Sequence, residues 1–240
     1  MRHALLLLLA LAGPALAERP AALHQLPDPA GLARLVRPEA AAAPLVILLP
    51  DALGEDGRAE PYVDSLLARG IATLSLGIGA DPDTARQSTE PAASAAALAV
   101  ALDWARGAGF DPAATGVLGF GLGGRAALAG GVPAVALYPG CANLPAPAGP
   151  ALVLQGEEAA AACGEVVASA GMALRLLPGA GHGWDAPGAI WPSPGPLLPD
   201  PAGGPRRQAR ADHAVTLLAA EAAADWFEAM LAPAARSAAR

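Results

Sequence analysis

The stretch Val117-Leu118-Gly119-Phe120-Gly121-Leu122-Gly123-Gly124-Arg125 reads as a strand, a sharp turn and a helix, with the spacing of a G-x-S-x-G elbow whose central position is glycine. In such an elbow the central residue is strained, and its side chain stands clear of the sheet beside backbone N–H groups able to hold an oxyanion. The chemistry of that arrangement is acyl transfer by a covalent nucleophile. Gly121 has no side chain with which to attack. Either the glycine relieves a turn kept for packing, since it accepts positive φ without strain, or the site works by another route.

His182 lies in the run Pro178-Gly179-Ala180-Gly181-His182-Gly183, a glycine-rich loop that favours a site residue over a core histidine. His213, near the start of the last helix, reads as solvent-facing or as a cap, and His24 falls in the N-terminal arm. Gly119, Gly121 and Gly124 also satisfy G-x-G-x-x-G, but the dinucleotide reading needs an acidic residue about 20 positions on. Val135 to Pro150 contains neither Asp nor Glu, and the motif follows two earlier strands. A carbonyl oxygen or an anion at this helix N-terminus stays open on dipole grounds. The two cysteines, Cys141 and Cys163, flank the apolar run Ala151 to Gln155. In an exported chain that pair predicts a disulfide worth about 3 kcal/mol, two separate buried thiols being the alternative.

All 15 basic residues are arginine, so Schiff-base chemistry and a P-loop lysine are excluded. The formal charge of -7, or -8 once Arg2 is removed, points to neither nucleic acid nor an anionic membrane surface. Arg2 and His3 precede the apolar run Ala4 to Ala12, Gly13-Pro14 breaks it, and Ala15-Leu16-Ala17 has the A-x-A form. Residues 1–17 are therefore expected to be a signal peptide, too short to span a bilayer, and the mature protein to be secreted or periplasmic without membrane insertion.

Residues 18–43, dense in proline and alanine, read as an irregular arm, and 44–240 as one domain. Pro44 to Leu49, Ile71 to Leu76, Gly116 to Leu118, Ala134 to Tyr138, Ala151 to Gln155 and Met172 to Leu177 read as strands. Helices are predicted at about Pro61 to Arg69, Ala92 to Gly107, after the elbow, near Ala159 to Ala170 and at about Asp212 to Ala232. The last would turn Val215, Leu218, Ala222, Trp226 and Met230 to one side. This alternation implies an α/β fold with a mostly parallel sheet covered by helices on both faces, in three layers.

Together these residues resemble the dienelactone hydrolases of the α/β-hydrolase fold. The likeness rests on Leu45 to Gly54, Gly119 to Gly124, Leu137-Tyr138-Pro139-Gly140, Leu152 to Glu157 and Pro178 to Gly183, in that order, over Pro44 to Leu231. It implies a carboxylic-ester hydrolase without a cofactor or metal, using a Cys or Ser nucleophile, an Asp and a His. Carried over, the nucleophile falls on Gly121, the base on His182 and the acid near Ala159, beside Glu157 and Glu158. The oxyanion donors would be the N–H of Leu122 and one from the loop Asp51 to Leu53, centred on Ala52. The expected function is that of a hydrolase-like pseudoenzyme with lost or much reduced activity, able to hold a small carbonyl or carboxylate ligand. Two alternatives are an active hydrolase in which His182 is a general base on water, and a non-catalytic ligand- or partner-binding envelope protein.

Overall fold

A computed structural model describes residues 21–40, 42–77, 91–188 and 192–238. Eight strands form the main sheet: β1 (Ala21–Gln25), β2 (Leu32–Val36), β3 (Leu45–Leu49), β4 (Ala72–Leu76), β5 (Thr115–Phe120), β6 (Ala134–Leu137), β7 (Ala151–Gly156) and β8 (Ala173–Leu177). Their order is β1-β2-β4-β3-β5-β6-β7-β8, and the six from β4 to β8 run parallel. β3 and β7 are buried along their whole length, as strands covered on both faces must be. Helices α1 (Glu60–Ala68) and α5 (His213–Ala238) pack on one face. On the other lie α2 (Pro91–Gly107), α3 (Leu122–Leu128) and α4 (Ala160–Ser169). A two-stranded ladder, β9 (Leu197–Leu198) with β10 (Arg207–Gln208), sits in the long loop before α5.

The expected irregular arm is largely paired structure. β1 and β2 form an antiparallel hairpin, and β2 pairs antiparallel with β4. Pro27 and Pro29 mark the turn of this hairpin, with Leu26 and Ala30 buried in it. Proline density thus signalled a turn between strands rather than an arm. His24, placed by the sequence in the arm, lies in β1 with its ring 4.9 Å from that of Trp104 on α2. The signal peptide expected at 1–17 and the first residues of the arm lie outside the described residues.

The buried side of α5 also differs from expectation. Val215, Ala219, Ala223, Phe227 and Leu231 are buried, whereas Leu218 is 53% and Met230 39% exposed. The cause is close approach: Phe227 occupies the space over Gly116 of β5 where a Cβ would stand, so only an alanine-rich face fits. Arg69 after α1 clamps the outer side of α5, 2.6 Å from Glu221 and also bonded to Asp225. No helix among the described residues is long and apolar enough to cross a membrane.

Candidate active site

Strand β5 ends at Phe120 and α3 begins at Leu122, leaving Gly121 alone to make the turn at φ 52°, ψ -112°. An L residue would be strained there. The neighbouring glycines serve a different need. A Cβ at Gly119 would collide with the Gly123 carbonyl, and one at Gly123 with the Pro50 carbonyl, so both allow α3 to start hard against the strands. The glycine run is thereby explained by packing. Above Gly121 a Cβ would meet only the Asp51 Cβ at 3.4 Å and the Tyr138 ring at 3.8 Å, ordinary contacts. The Leu122 N–H is the first of the helix, without an intrahelical partner. In the loop after β3, the Leu53 N–H donates to Asp51 Oδ1 at 2.8 Å and the Gly54 N–H to the Asp51 carbonyl at 3.1 Å. Ala52 sits buried between them.

His182 follows β8 in a loop held to the start of α5: the Arg210 N–H donates to the His182 carbonyl at 2.9 Å and the Asp212 N–H to the Trp184 carbonyl at 2.7 Å. A Cβ at Gly156 would collide with the Ala180 carbonyl, so the end of β7 also needs glycine for this loop to close down. The imidazole is 3% exposed, and its ring stands edge-on to Tyr138 at 5.3 Å. No side chain among the described residues accepts from or donates to either ring nitrogen; the group that faces the ring is the Pro199 carbonyl. Burial pushes its pKa down to about 4, with Arg207 acting in the same direction and Asp200 against it. At neutral pH it is an uncharged imidazole with no carboxylate partner among the described residues.

The carboxyl edge of the sheet is occupied by a buried polar network centred on Arg58. Its guanidinium donates to Asp51 Oδ2 at 2.7 Å, to Asp56 Oδ1 at 2.8 Å and to the Tyr138 hydroxyl at 3.2 Å. Tyr138 donates in turn to Asp185 at 2.6 Å, Tyr62 donates to the other Asp185 oxygen at 2.8 Å, and the Trp184 indole N–H donates to Tyr62 at 3.0 Å. Burial works against the charge on Arg58, but Tyr138 and the carboxylates around it more than offset this and raise its pKa. Burial pushes Asp185 up to about 6 and raises Asp51, in each case against the pull of Arg58. Burial and Asp185 raise both phenols, which keeps them donors. Tyr138 is held at φ 38°, a conformation costing a non-glycine residue about 1 kcal/mol or more, so that its hydroxyl reaches across to Asp185.

Among the residues that the sequence singled out, Gly121, Leu122, Ala52 and His182 come to the same edge of the sheet. Glu157 and Glu158 do not reach the histidine. Glu157 accepts from the Gly179 N–H at 3.1 Å, and Glu158 is bonded to Arg207 at 2.9 Å and Arg210 at 3.2 Å. Both are exposed, because β7 runs into a 3-10 turn that directs them outward. Cys141 and Cys163 form a disulfide with Cα atoms 5.1 Å apart, tying the segment after β6 to α4. The sequence reading placed Asp51 in the oxyanion loop and Tyr138 in a family landmark, but gave no role to the side chains of Asp51, Arg58, Tyr62, Tyr138 or Asp185. Three of these carried a usable signal, because Asp51, Tyr138 and Asp185 each follow closely on the end of a parallel strand or on the histidine.

The strand order, the elbow after the fifth strand and the histidine loop after the eighth define an α/β-hydrolase fold. Neither models of protein families nor curated proteins match the chain. Solved structures do. A dienelactone hydrolase-like promiscuous phosphotriesterase from metagenomic libraries is 18% identical with a TM-score of 0.61, over 88% of this chain and 98% of that one. A dienelactone hydrolase from Anabaena variabilis is 17% identical with a TM-score of 0.61, over 89% and 98%. Carboxyl esterase 2 from Tuber melanosporum is 14% identical with a TM-score of 0.57, over 92% and 89%. At these identities the likeness is one of fold.

Proposed function

We propose that this chain is an exported, dienelactone hydrolase-like protein of the carboxylic-ester hydrolase class whose activity is lost or much reduced. The observation that carries this reading is the bare elbow: Gly121 keeps the strained nucleophile geometry with nothing to attack from it. His182 supports it, since no carboxylate among the described residues accepts from it, and a triad base needs an acid to set its tautomer and orientation. Export is supported by the Cys141–Cys163 bond, which suits an oxidising compartment. A carbonyl or carboxylate oxygen would find the Leu122 N–H, with Ala52 alongside in the loop after β3.

The test is labelling of the mature chain by serine- and thiol-directed covalent probes, together with hydrolysis of a small ester beside His182→Ala. No labelling and background turnover in both proteins are expected. Labelling of a pocket serine that disappears in His182→Ala would overturn the reading. One observation favours a second route, in which His182 acts as general base on water: its imidazole is neutral at pH 7 and engaged by no side chain among the described residues. A pKa near 4 makes it a weak base. Turnover that needs His182 without any probe labelling would identify this route.

A further inference from the structure

The long loop before α5 carries a flap that lies across the histidine. From Gly195 to Ala209 the chain runs out along β9, turns through Asp200 to Gly204 and returns along β10. It is pressed onto the carboxyl edge of the sheet. A Cβ at Gly183, next to His182, would meet the Leu198 side chain at 2.5 Å, and one at Gly140, just after Tyr138, would meet the Ala202 Cβ at 3.0 Å. Glycine is thus needed both on the histidine loop and after β6 for the flap to seat. Leu53, from the loop after β3, packs on the cluster of Leu198, Ala186 and Ala209.

The flap and the loop beneath it are held very differently. In the flap, the main-chain bonds outside the ladder turn inward: the Ala209 N–H donates to the Pro196 carbonyl at 2.9 Å and the Gly203 N–H to the Asp200 carbonyl at 3.0 Å. The ladder itself has two residue pairs, too few to be stable alone. The ion pair of Arg207 with Glu158 is open to solvent on both sides and contributes little. The underside of the flap is apolar, with Leu198 and Pro201 buried. The histidine loop, by contrast, is bonded to the body of the molecule. His182 accepts from the Arg210 N–H at 2.9 Å, Trp184 from the Asp212 N–H at 2.7 Å, and Asp185 from Tyr138 at 2.6 Å. The boundary between the two falls at the peptide joining Ala209 to Arg210, where main-chain bonding passes from Pro196 to His182. At the other foot of the flap, a Cβ at Gly195 would meet the Ala209 carbonyl at 2.6 Å, so the two feet meet at a glycine.

We propose that Gly195 to Ala209 form a lid that swings off His182 as a unit, pivoting at Gly195 and at the Ala209–Arg210 peptide, while the histidine loop and the elbow stay folded. Opening lifts the Pro199 carbonyl from the ring and Leu198 from Gly183, and water or a ligand reaches the imidazole in that form alone. The lid acts in a chain inert to esters and in one that cleaves them, so its test stands apart from the ester reading.

The test is carbethoxylation of the full mature chain by diethyl pyrocarbonate at pH 7, followed residue by residue by mass spectrometry at urea concentrations below the unfolding transition. The reagent acylates neutral imidazole nitrogens, and the exposed His213 is the internal reference. His182 should react at least about tenfold more slowly than His213, since the open form alone is attacked. Its rate should rise with urea at less than about half the slope of global unfolding, because only the flap is exposed. The Ala209 amide should exchange with deuterium in step with this labelling and the Gly121 amide far more slowly. Leu198→Ala should speed labelling of His182 by about tenfold or more and leave His213 unchanged. Labelling of His182 as fast as His213, or along the full slope of global unfolding, or without acceleration in a folded Leu198→Ala, would each overturn the proposal. The urea slope of the wild type decides even where that variant fails to fold.

Discussion

Asp185 and His182 tilt the stability of this fold in opposite directions with pH. Burial raises the Asp185 carboxyl from 3.8 to about 6, so its contribution to stability is complete below pH 3.8 and is lost as pH rises through 6. Burial lowers His182 from 6.5 to about 4, so its contribution is complete above pH 6.5 and is lost as pH falls through 4. By proton linkage each displacement is worth about 3 kcal/mol. The wild-type profile should be nearly flat between pH 4 and 6, where the two slopes cancel. Asp51, raised by the same burial, adds a slight fall toward higher pH. Asp185→Asn keeps an acceptor oxygen for one of the two phenols, presents an amide N–H2 to the other, and removes one slope. Its stability should rise by about 3 kcal/mol between pH 4 and 6.5. His182→Leu removes the other slope, and its stability should fall by a similar amount over that range. Urea unfolding across this range, with unchanged m-values, measures each profile directly. Parallel profiles for the wild type and the two variants would refute the reasoning, since neither group could then be titrating against a buried environment.

Gly121→Cys should gain labelling by thiol-directed probes while remaining near background in ester turnover, because a Cβ fits above the elbow but no acid among the described residues orients His182. The strained φ should cost that variant about 1 kcal/mol or more, and ester turnover at the rate of an intact triad would contradict the account. Reduction of the Cys141–Cys163 bond, which spans 22 positions, should lower unfolding stability by about 3 kcal/mol; an unchanged urea midpoint with dithiothreitol would count against it. Tyr62→Phe strands the Trp184 N–H and takes one donor from Asp185, so a loss of about 1 to 3 kcal/mol is expected, and a neutral effect on thermal unfolding would argue against the network.

The parallel strands were legible because a strand covered on both faces has no solvent side to interrupt its apolar run, as Leu45–Leu49 illustrates. The N-terminal hairpin was not, since β1 is an exposed edge strand with two alanines and a histidine in five residues. The orientation of α5 was misread for a related reason. Large apolar residues usually mark the buried face, but here contact with β5 is so close that alanine is the residue that fits, and Leu218 is turned out. At the site, Gly121 and His182 could be read because glycine spacing encodes backbone geometry locally. The Arg58 network could not. Asp51, Asp56, Tyr62, Tyr138 and Asp185 are ordinary residues taken singly, and only the sheet topology brings the ends of β3, β6 and β8 together.

Through Arg58 and Tyr138, the loop after β3, the segment leading into α1, the end of β6 and the histidine loop are joined into one bonded unit. Segments in these positions ordinarily belong to the least protected part of an enzyme, opening on their own so that ligands can come and go. Opening any one of them here would leave an arginine or a carboxyl group buried without its partner, a cost comparable to that of unfolding the domain. Their amides, such as those of Gly121 and Tyr138 bonded to Leu137 and Leu154, should exchange with deuterium only when the whole molecule opens. The short β9–β10 ladder, with two residue pairs and no tie to Arg58, should exchange first. Four separate segments at this edge of the sheet, far apart in the chain, would therefore open together or not at all.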